Sequence, residues 1–368
     1  MAEALDLRAE LGVLDGMAVP SLTKPARWKQ QAWLLSTTSL TVCAIATAVV
    51  LAPHQSAAPL ESLAWLLFLG SSVHVASTGW LFTLPEVRGH AASHRTRYVT
   101  IPVVLVLATG LIASLLSPKE LEWVLLPYFC WQFFHFQKQN LGLSSLAASS
   151  HGTRPLSRTE RRALIGAGVA GIVGLVAHPN LLQLRIGSGA SVLFPVAGLL
   201  FAVAVGVGSA VLVRRPKRDR PTGFCVMYLV ALLFSLPVFV FTSPYAAMGG
   251  MTVAHGFQYL LLVGLVAVGS GRGSTRAFRI ALLCNMALVG GALLSGASHL
   301  HGSGPVGRFV FGAYLGVVMA HFVIDAGLWR MRDAFPRAFM TSHVPYLMAP
   351  VGGSPSIQPA DRSSTDIG

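Results

Sequence analysis

Ten long apolar segments, separated by short and mostly basic loops, constrain the fold of this 368-residue chain more than any other feature. Hydrophobic residues make up 53% of the sequence and charged residues only 11%, whereas a soluble domain carries about 25% charged residues. Each segment has about 17–24 residues, the length that an α-helix needs to cross a hydrocarbon layer of about 30 Å. The segments lie near residues 33–52, 62–84, 98–117, 121–137, 162–178, 190–213, 223–242, 247–270, 278–297 and 309–328. Because lipid offers no partners to backbone polar groups, each segment is predicted to be helical.

The basic residues in the loops predict how these segments are oriented. With the N-terminus in the cytoplasm, all but three of the 27 Lys and Arg residues fall on the cytoplasmic side, the exceptions being Lys119, Arg185 and Arg308. Cytoplasmic loops are enriched in Lys and Arg. The sequence therefore predicts an all-α, polytopic protein of the cell membrane, with about ten transmembrane helices and both termini cytoplasmic. The net charge of +13 has the same origin, so the expected partner is the lipid bilayer and not a nucleic acid.

The chain is predicted to form one membrane domain between two terminal segments. Residues 1–30 are interpreted as a cytoplasmic N-terminal segment, and residues 31–335 as the ten-helix transmembrane domain. Residues 336–368 are predicted to be a cytoplasmic tail that is largely disordered, because its end contains too few apolar residues to fold.

Four histidines, each inside a different apolar segment, are the strongest functional signal. They are His74, His135, His255 and His321, and all lie in even-numbered spans, which run in the same direction. A polar side chain in hydrocarbon is costly, so such residues usually face a partner, a cavity or a metal. We predict that these four histidines are ligands of one metal ion.

Three further polar residues are candidates for orienting these ligands or for taking part in catalysis. Asp325 lies one helical turn after His321 and is the only acidic residue well inside a span. Gln139 follows His135 by four positions, and Gln258 follows His255 by three, so each lies on the same helix face as its histidine. A histidine-rich site with one carboxylate suits non-haem iron.

Other interpretations of these residues stay open. A single intramembrane histidine can instead hold two helices together by a hydrogen bond, and Asp325 can pair with Arg330 or Arg332 near the inner interface. The pairs His90 with His94 and His299 with His301 lie in loops and are weaker metal-binding candidates.

Two short segments have the character of motifs. The first, FFHFQKQN around His135, resembles the histidine-phenylalanine helix of the Brp/Blh family of bacterial membrane β-carotene dioxygenases. The resemblance covers about ten residues and the general plan of histidine-bearing spans; it implies an all-helical enzyme with one histidine-bound, non-haem iron, and His135 as a ligand. The acid-bearing glycine motifs of that family are not found around His74. The second segment, HFxxDxxLWRxR, begins at His321.

These observations lead to one main hypothesis and two alternatives. The main hypothesis is a membrane metalloenzyme, a non-haem iron oxidase or oxygenase that acts on a lipophilic small molecule. The first alternative is a proton-coupled transporter that uses the intramembrane His and Asp residues. The second is an electron-transfer protein that holds haem between two histidines. The sequence lacks the GxxxxGK[ST] phosphate loop, the HExxH helix and the GxSxG elbow, which argues against a nucleotide-hydrolysing, zinc-protease or serine-hydrolase site.

Overall fold

The computed structural model describes residues 24–52, 61–187, 190, 192–271 and 273–348. Within these residues the chain forms helices and no strand, which confirms the all-α prediction. Most of the predicted N-terminal segment, residues 1–23, lies outside the described part, as do residues 349–368.

Fifteen α-helices follow one another along the described chain. They are α1 (Lys24–Leu51), α2 (Glu61–Leu67), α3 (His74–Leu81), α4 (Pro85–Ser93), α5 (Ile101–Leu115), α6 (Pro118–Ser150), α7 (Arg158–Ala177), α8 (Leu193–Arg214), α9 (Thr222–Leu232), α10 (Pro237–Val240), α11 (Gly250–Gly269), α12 (Ser274–Ser298), α13 (Pro305–Leu328), α14 (Ala334–His343) and α15 (Pro345–Met348). Three π-helical stretches, Phe68–Val73, Thr96–Thr100 and Tyr245–Gly249, lead directly into α3, α5 and α11.

Six helical segments of the described chain are long and apolar enough to cross a membrane. They are Arg27–Leu51, Thr96–Leu115, Leu193–Arg214, Tyr245–Gly269, Ser274–Gly302 and Pro305–Leu328. A seventh span results if Leu63–Leu81 and Pro85–Ser93, which meet at 85°, are counted together. The structure therefore supports a multi-pass membrane protein. The count of ten spans is not confirmed, and the cytoplasmic location of the termini stays a prediction.

Helix α6 is longer than the apolar segment 121–137 that predicted it. It begins at a capping box in which Ser117 and Glu120 satisfy each other's backbone N–H groups, and it continues to Ser150. Gln137 and Asn140 therefore lie in the middle of the helix and are buried. The Gln137 amide donates to the carbonyl of Leu164 in α7 (2.7 Å). The polar run after His135 thus joins helices and does not end one.

The chain also remains helical beyond residue 336, where the tail was predicted to begin. Helices α14 and α15 cover the described part of this segment, and Phe339, Met340, Val344 and Leu347 are buried in the largest apolar core. These side chains supply the apolar surface that the remainder of the tail lacks. The domain therefore extends at least to Met348.

Close helix packing around the centre of the molecule depends on glycine. Helix α11 packs against α1 and also against the π-helical stretch before α3. A Cβ atom at Gly256 would overlap the carbonyl of Gly70, and one at Gly70 would overlap the backbone of Val253. Small residues let helices approach closely in membranes. Because Gly70 lies one turn before His74 and Gly256 follows His255, this approach brings two histidine-bearing segments together.

Candidate metal centre

The four predicted histidines meet in the interior of the bundle. His74 is the first residue of α3, His135 lies within α6, His255 within α11 and His321 within α13. Their exposed fractions are 3%, 9%, 0% and 1% in the same order. Four helices that are distant in sequence thus each contribute one histidine to a single buried place.

The four imidazole rings form a closed circle in which each ring lies next to two others. The His74 ring centroid lies 5.0 Å from that of His255 and 5.1 Å from that of His321. The His135 centroid lies 5.0 Å from that of His255 and 5.3 Å from that of His321. In each pair the rings are steeply inclined, with interplanar angles of 70° to 89°. The rings are therefore not stacked on one another and meet edge to face.

Most nitrogens of these rings have no hydrogen-bond partner within the described part of the chain. This holds for both nitrogens of His74 and His255 and for Nε2 of His135 and His321. An unsatisfied buried polar atom costs about 1–3 kcal/mol. Such groups call for an explanation, and a catalytic role, an ordered water or a bound ion can supply it.

Asp325 lies beside two of the rings and is held by two neighbours. Its Oδ1 accepts hydrogen bonds from the Tyr259 hydroxyl (3.0 Å) and the Trp329 indole N–H (3.2 Å). Its Oδ2 lies 3.4 Å from Nε2 of His321 and 3.8 Å from Nε2 of His135. One carboxylate oxygen is thus anchored while the other faces two unpartnered nitrogens.

Two overlapping sets of three side chains have the spacing of metal ligands. One set is His74, His255 and His321, and the other is His135, His321 and Asp325. Within each set the ligand atoms all lie within 4.8 Å of one another. Three ligand atoms that bind one ion at about 2.1 Å lie at most about 3.6 Å apart when they are evenly spaced. The atoms of either set would therefore move together by up to about 1.2 Å to bind one ion.

A hydrogen-bond chain fixes which nitrogen of His321 faces the centre. Nδ1 of His321 lies 2.7 Å from Oγ1 of Thr78, and this oxygen lies 2.8 Å from the Tyr259 hydroxyl. When Asp325 serves as a carboxylate ligand it only accepts hydrogen bonds, so Tyr259 then donates its single proton to Asp325, Thr78 donates to Tyr259, and His321 donates from Nδ1. The lone pair of His321 then lies on Nε2, the atom that faces Asp325.

The two glutamines lie next to the histidines and bond to each other. The Gln139 amide donates to the carbonyl of His255 (3.0 Å) and to Oε1 of Gln258 (2.9 Å). The Gln258 amide donates in turn to Thr41 (2.8 Å) and Asn140 (3.2 Å). The two glutamines therefore connect α6, α11 and α1, and Gln139 reaches His255 through its backbone carbonyl.

Two phenylalanine rings cover the outer sides of the centre. Phe136 stacks on His255 with ring centroids 4.1 Å apart, and Phe322 stacks on His135 at 4.4 Å. Both phenylalanines are almost completely buried. An apolar shell of this kind limits the access of water and lowers the local dielectric.

The other charged and histidine candidates lie elsewhere. Arg330 and Arg332 face Asp333 at 3.8 and 3.9 Å, so the alternative pairing of either with Asp325 is not observed. The rings of His90 and His94 lie 4.3 Å apart, and His299 and His301 lie in an exposed turn. Neither of these two pairs belongs to a three-residue ligand set within the described residues.

Tyr259 and Trp329, the hydrogen-bond donors to Asp325, were not among the predicted site residues. Trp329 lies four residues after Asp325 in the segment that begins at His321, so helical spacing was a usable signal. By contrast, no sequence pattern predicted the π-helical stretch before His74.

The chain was also compared with known proteins. No protein-family model, no curated protein and no solved structure matches it. Assignment of a function therefore depends on the geometry of this centre.

Proposed function

We propose that this protein is an integral-membrane metalloenzyme that binds one transition-metal ion between His74, His135, His255, His321 and Asp325. We further propose that the ion is iron and that the protein is an oxidase or oxygenase acting on a lipophilic substrate. The observation that carries the proposal is the set of unpartnered, buried imidazole nitrogens around one point, with a carboxylate oxygen among them. A bound cation satisfies several of these atoms at once and neutralises the buried carboxylate.

One ion, and not two, is supported by the hydrogen bonds of His321. Both three-residue sets include this histidine, and its Nδ1 is engaged by Thr78. Nε2 is then its single available nitrogen, and one lone pair binds one ion. The two sets therefore describe alternative parts of one coordination site.

The ligand types suit iron, although the same donors also occur in catalytic zinc sites. Imidazole with one carboxylate is the donor set of many non-haem Fe(II) oxygenases, and His135, His321 and Asp325 provide such a set. Cys43 and Cys284 are exposed, and neither ligand set contains a thiolate that would favour a structural zinc site. When bound, an iron ion with an open position supplies a Lewis acid and a site for oxygen chemistry.

The chain's own residues would prepare this site in three ways. Thr78 and Tyr259 hold the tautomer of His321 and the rotamer of Asp325. Phe136 and Phe322 exclude water from two sides. The surrounding helices expose long apolar faces, which makes the bilayer the natural source of substrate and supports a lipophilic one.

The haem alternative is less well supported by the ring spacing. Neighbouring histidine centroids lie only 5.0 to 5.3 Å apart and meet edge to face. The space between two such rings is too small for a planar macrocycle. An absorption spectrum of the purified protein tests this directly, because a Soret band would show haem.

The transporter is a second candidate, and one specific observation favours it. The segment that carries His255 follows a non-helical break at residues 241–243, and the segment that carries His74 contains the π-helical stretch Phe68–Val73. Interrupted helices at a mid-membrane site are typical of ion-coupled carriers. A carrier with this site would take up protons or a cation into sealed vesicles, whereas the proposed enzyme would not.

The decisive experiment is the metal content of the full chain, purified in detergent without chelator and measured by mass spectrometry. We expect close to one iron per chain in the wild type and a large loss in His321→Ala. His178→Ala is a matched control, because this histidine lies at the end of α7 against Phe194 and outside the centre. A metal-free wild type, or full metal retention in His321→Ala, would overturn the proposal; one zinc per chain would overturn the iron assignment alone.

A further inference from the structure

A second feature of the bundle is an apolar groove between α5, α6 and α13. Its volume is about 210 Å³. The side chains that form most of its wall are Ile112, Leu121, Val124, Tyr128, Leu315 and Met319. Its inner wall is closed, since Leu315 and Met319 are only 4% and 9% exposed. Its rim is open to the lipid-facing surface, where Ile112 is 44% and Trp131 38% exposed.

The groove wall is almost entirely apolar. Its hydroxyl-bearing side chains are Thr109 and Tyr128. The Thr109 hydroxyl lies 2.6 Å from the carbonyl of Leu105 and 2.7 Å from that of Gly312, so it is already engaged within the helix pair. Apart from the Tyr128 hydroxyl, the wall therefore matches a hydrocarbon. An apolar cavity of about 150 Å³ holds a six-carbon ring, so this volume admits a chain segment on the order of eight carbons.

Aromatic side chains connect the groove with the metal centre. Trp131 lines the groove, and its ring centroid lies 5.9 Å from that of Phe322. Phe322 stacks on His135 at 4.4 Å and lies 5.7 Å from the ring of His321. One phenylalanine layer thus separates the groove from two of the histidines.

We propose that this groove binds the hydrocarbon chain of the lipophilic substrate, which enters sideways from the bilayer and reaches the layer of Phe322 beside His135. The inference rests on the proposed function, because it assigns the substrate class of that metal centre. The occupant is a linear hydrocarbon chain, since the groove wall is almost entirely apolar and its rim is open at the membrane-facing surface. Trp131 and Phe322 are then the residues that set how far the chain reaches.

The test uses the full chain in phosphatidylcholine nanodiscs and a hexadecane that carries a photoactivatable diazirine. Adducts are mapped by mass spectrometry, with unlabelled hexadecane as competitor, and metal content is measured on the same samples. Ile112→Trp narrows the groove rim. Leu111→Trp is the matched control, because Leu111 is the adjacent residue of α5, is 56% exposed and does not line the groove.

We expect saturable, competable labelling of groove residues in the wild type and in Leu111→Trp. In Ile112→Trp we expect the labelling of groove residues to fall about fivefold or more, because the added bulk overpacks the space that the chain would fill. Contact with bulk lipid would instead give labelling that rises linearly with probe concentration, and this result would overturn the groove assignment. Equal labelling in Ile112→Trp and Leu111→Trp would overturn it as well. Saturable labelling in a metal-free protein would instead overturn the proposed function and leave hydrocarbon binding supported.

Discussion

The hydroxyl oxygen of Thr78 lies 2.7 Å from Nδ1 of His321 and so holds the second nitrogen of this ring toward Asp325. The two residues are far apart in sequence and lie on α3 and α13. Metal-bound histidines commonly donate their other N–H to a hydrogen-bond acceptor, which fixes tautomer and orientation. Thr78 is therefore a positioning residue of the proposed metal site.

The substitution Thr78→Val tests this role with little change in side-chain volume. Without the hydroxyl, Nδ1 of His321 loses its acceptor and Tyr259 loses a donor, so we expect metal affinity to fall about 10–100-fold. The measurement is competition with a chelator of known affinity on purified protein. Thr83→Val is the control, because the Thr83 hydroxyl donates only to the carbonyl of Trp80. Equal affinity in both variants would show that Thr78 does not orient the ligand.

Gly256 provides a test of the helix packing that assembles the centre. In Gly256→Ala the new methyl group would overlap the carbonyl of Gly70, and overpacking of this kind costs about 1–3 kcal/mol. We expect a lower midpoint of thermal unfolding and reduced metal content, because α11 must move away from the segment that carries His74. Gly264→Ala, on the same helix, meets no atom within 4 Å. This control should unfold at or above the wild-type midpoint, since Ala favours helix over Gly by up to about 1 kcal/mol; a matching loss in both variants would contradict the packing argument.

Arg215 is expected to stabilise the fold away from the metal centre. Its guanidinium donates to both oxygens of Glu160 (2.6 and 2.9 Å) and, at 3.0 Å each, to the carbonyls of Arg154 and Pro155. Removing one partner of a buried pair costs about 3–5 kcal/mol, because it leaves the other charge unpaired. In Arg215→Ala we therefore expect a clear drop in the thermal midpoint, measured in detergent. The neighbouring Arg214 is exposed, so Arg214→Ala should change the midpoint little, and similar drops in the two variants would refute a specific role of the pair.

The sequence was sufficient to predict the helical class and the residues that meet at the centre. Long apolar runs leave helices as the structure that satisfies the backbone in lipid, and this class is confirmed. His74, His135, His255 and His321 were selected because polar groups at membrane depth are costly. The structure places all four around one point. Their function as ligands stays a prediction.

The details that the sequence did not predict depend on tertiary contacts. Hydropathy alone ended the fourth segment at residue 137, whereas α6 continues to Ser150 because Gln137 finds a partner in α7. Asp325 had nearby arginines in sequence, yet its partners are Tyr259 and Trp329. Helix neighbours are not given by the order of spans, so the bond between Thr78 and His321 was not accessible from sequence.

Asp325 allows the strongest test of whether a charged carboxylate belongs to the metal site. Asparagine keeps the size of the side chain, and its carbonyl oxygen can still accept from Tyr259 and Trp329, as Oδ1 of Asp325 does. The substitution Asp325→Asn therefore removes the negative charge while preserving the anchor. A divalent cation in a buried, apolar setting loses a large stabilisation when the carboxylate beside it is neutralised.

We expect Asp325→Asn to lose more metal affinity than Thr78→Val, that is, beyond the roughly 10–100-fold range of an orienting residue. Chelator competition gives the affinity, and the thermal midpoint of the metal-free protein gives the effect on folding. In the metal-free state the variant should be about as stable as the wild type, because the Asn side chain carries no charge and keeps the hydrogen bonds from Tyr259 and Trp329. If the variant binds metal as tightly as the wild type, Asp325 is not part of the metal site. A variant that is destabilised without metal would show that the carboxylate serves the fold.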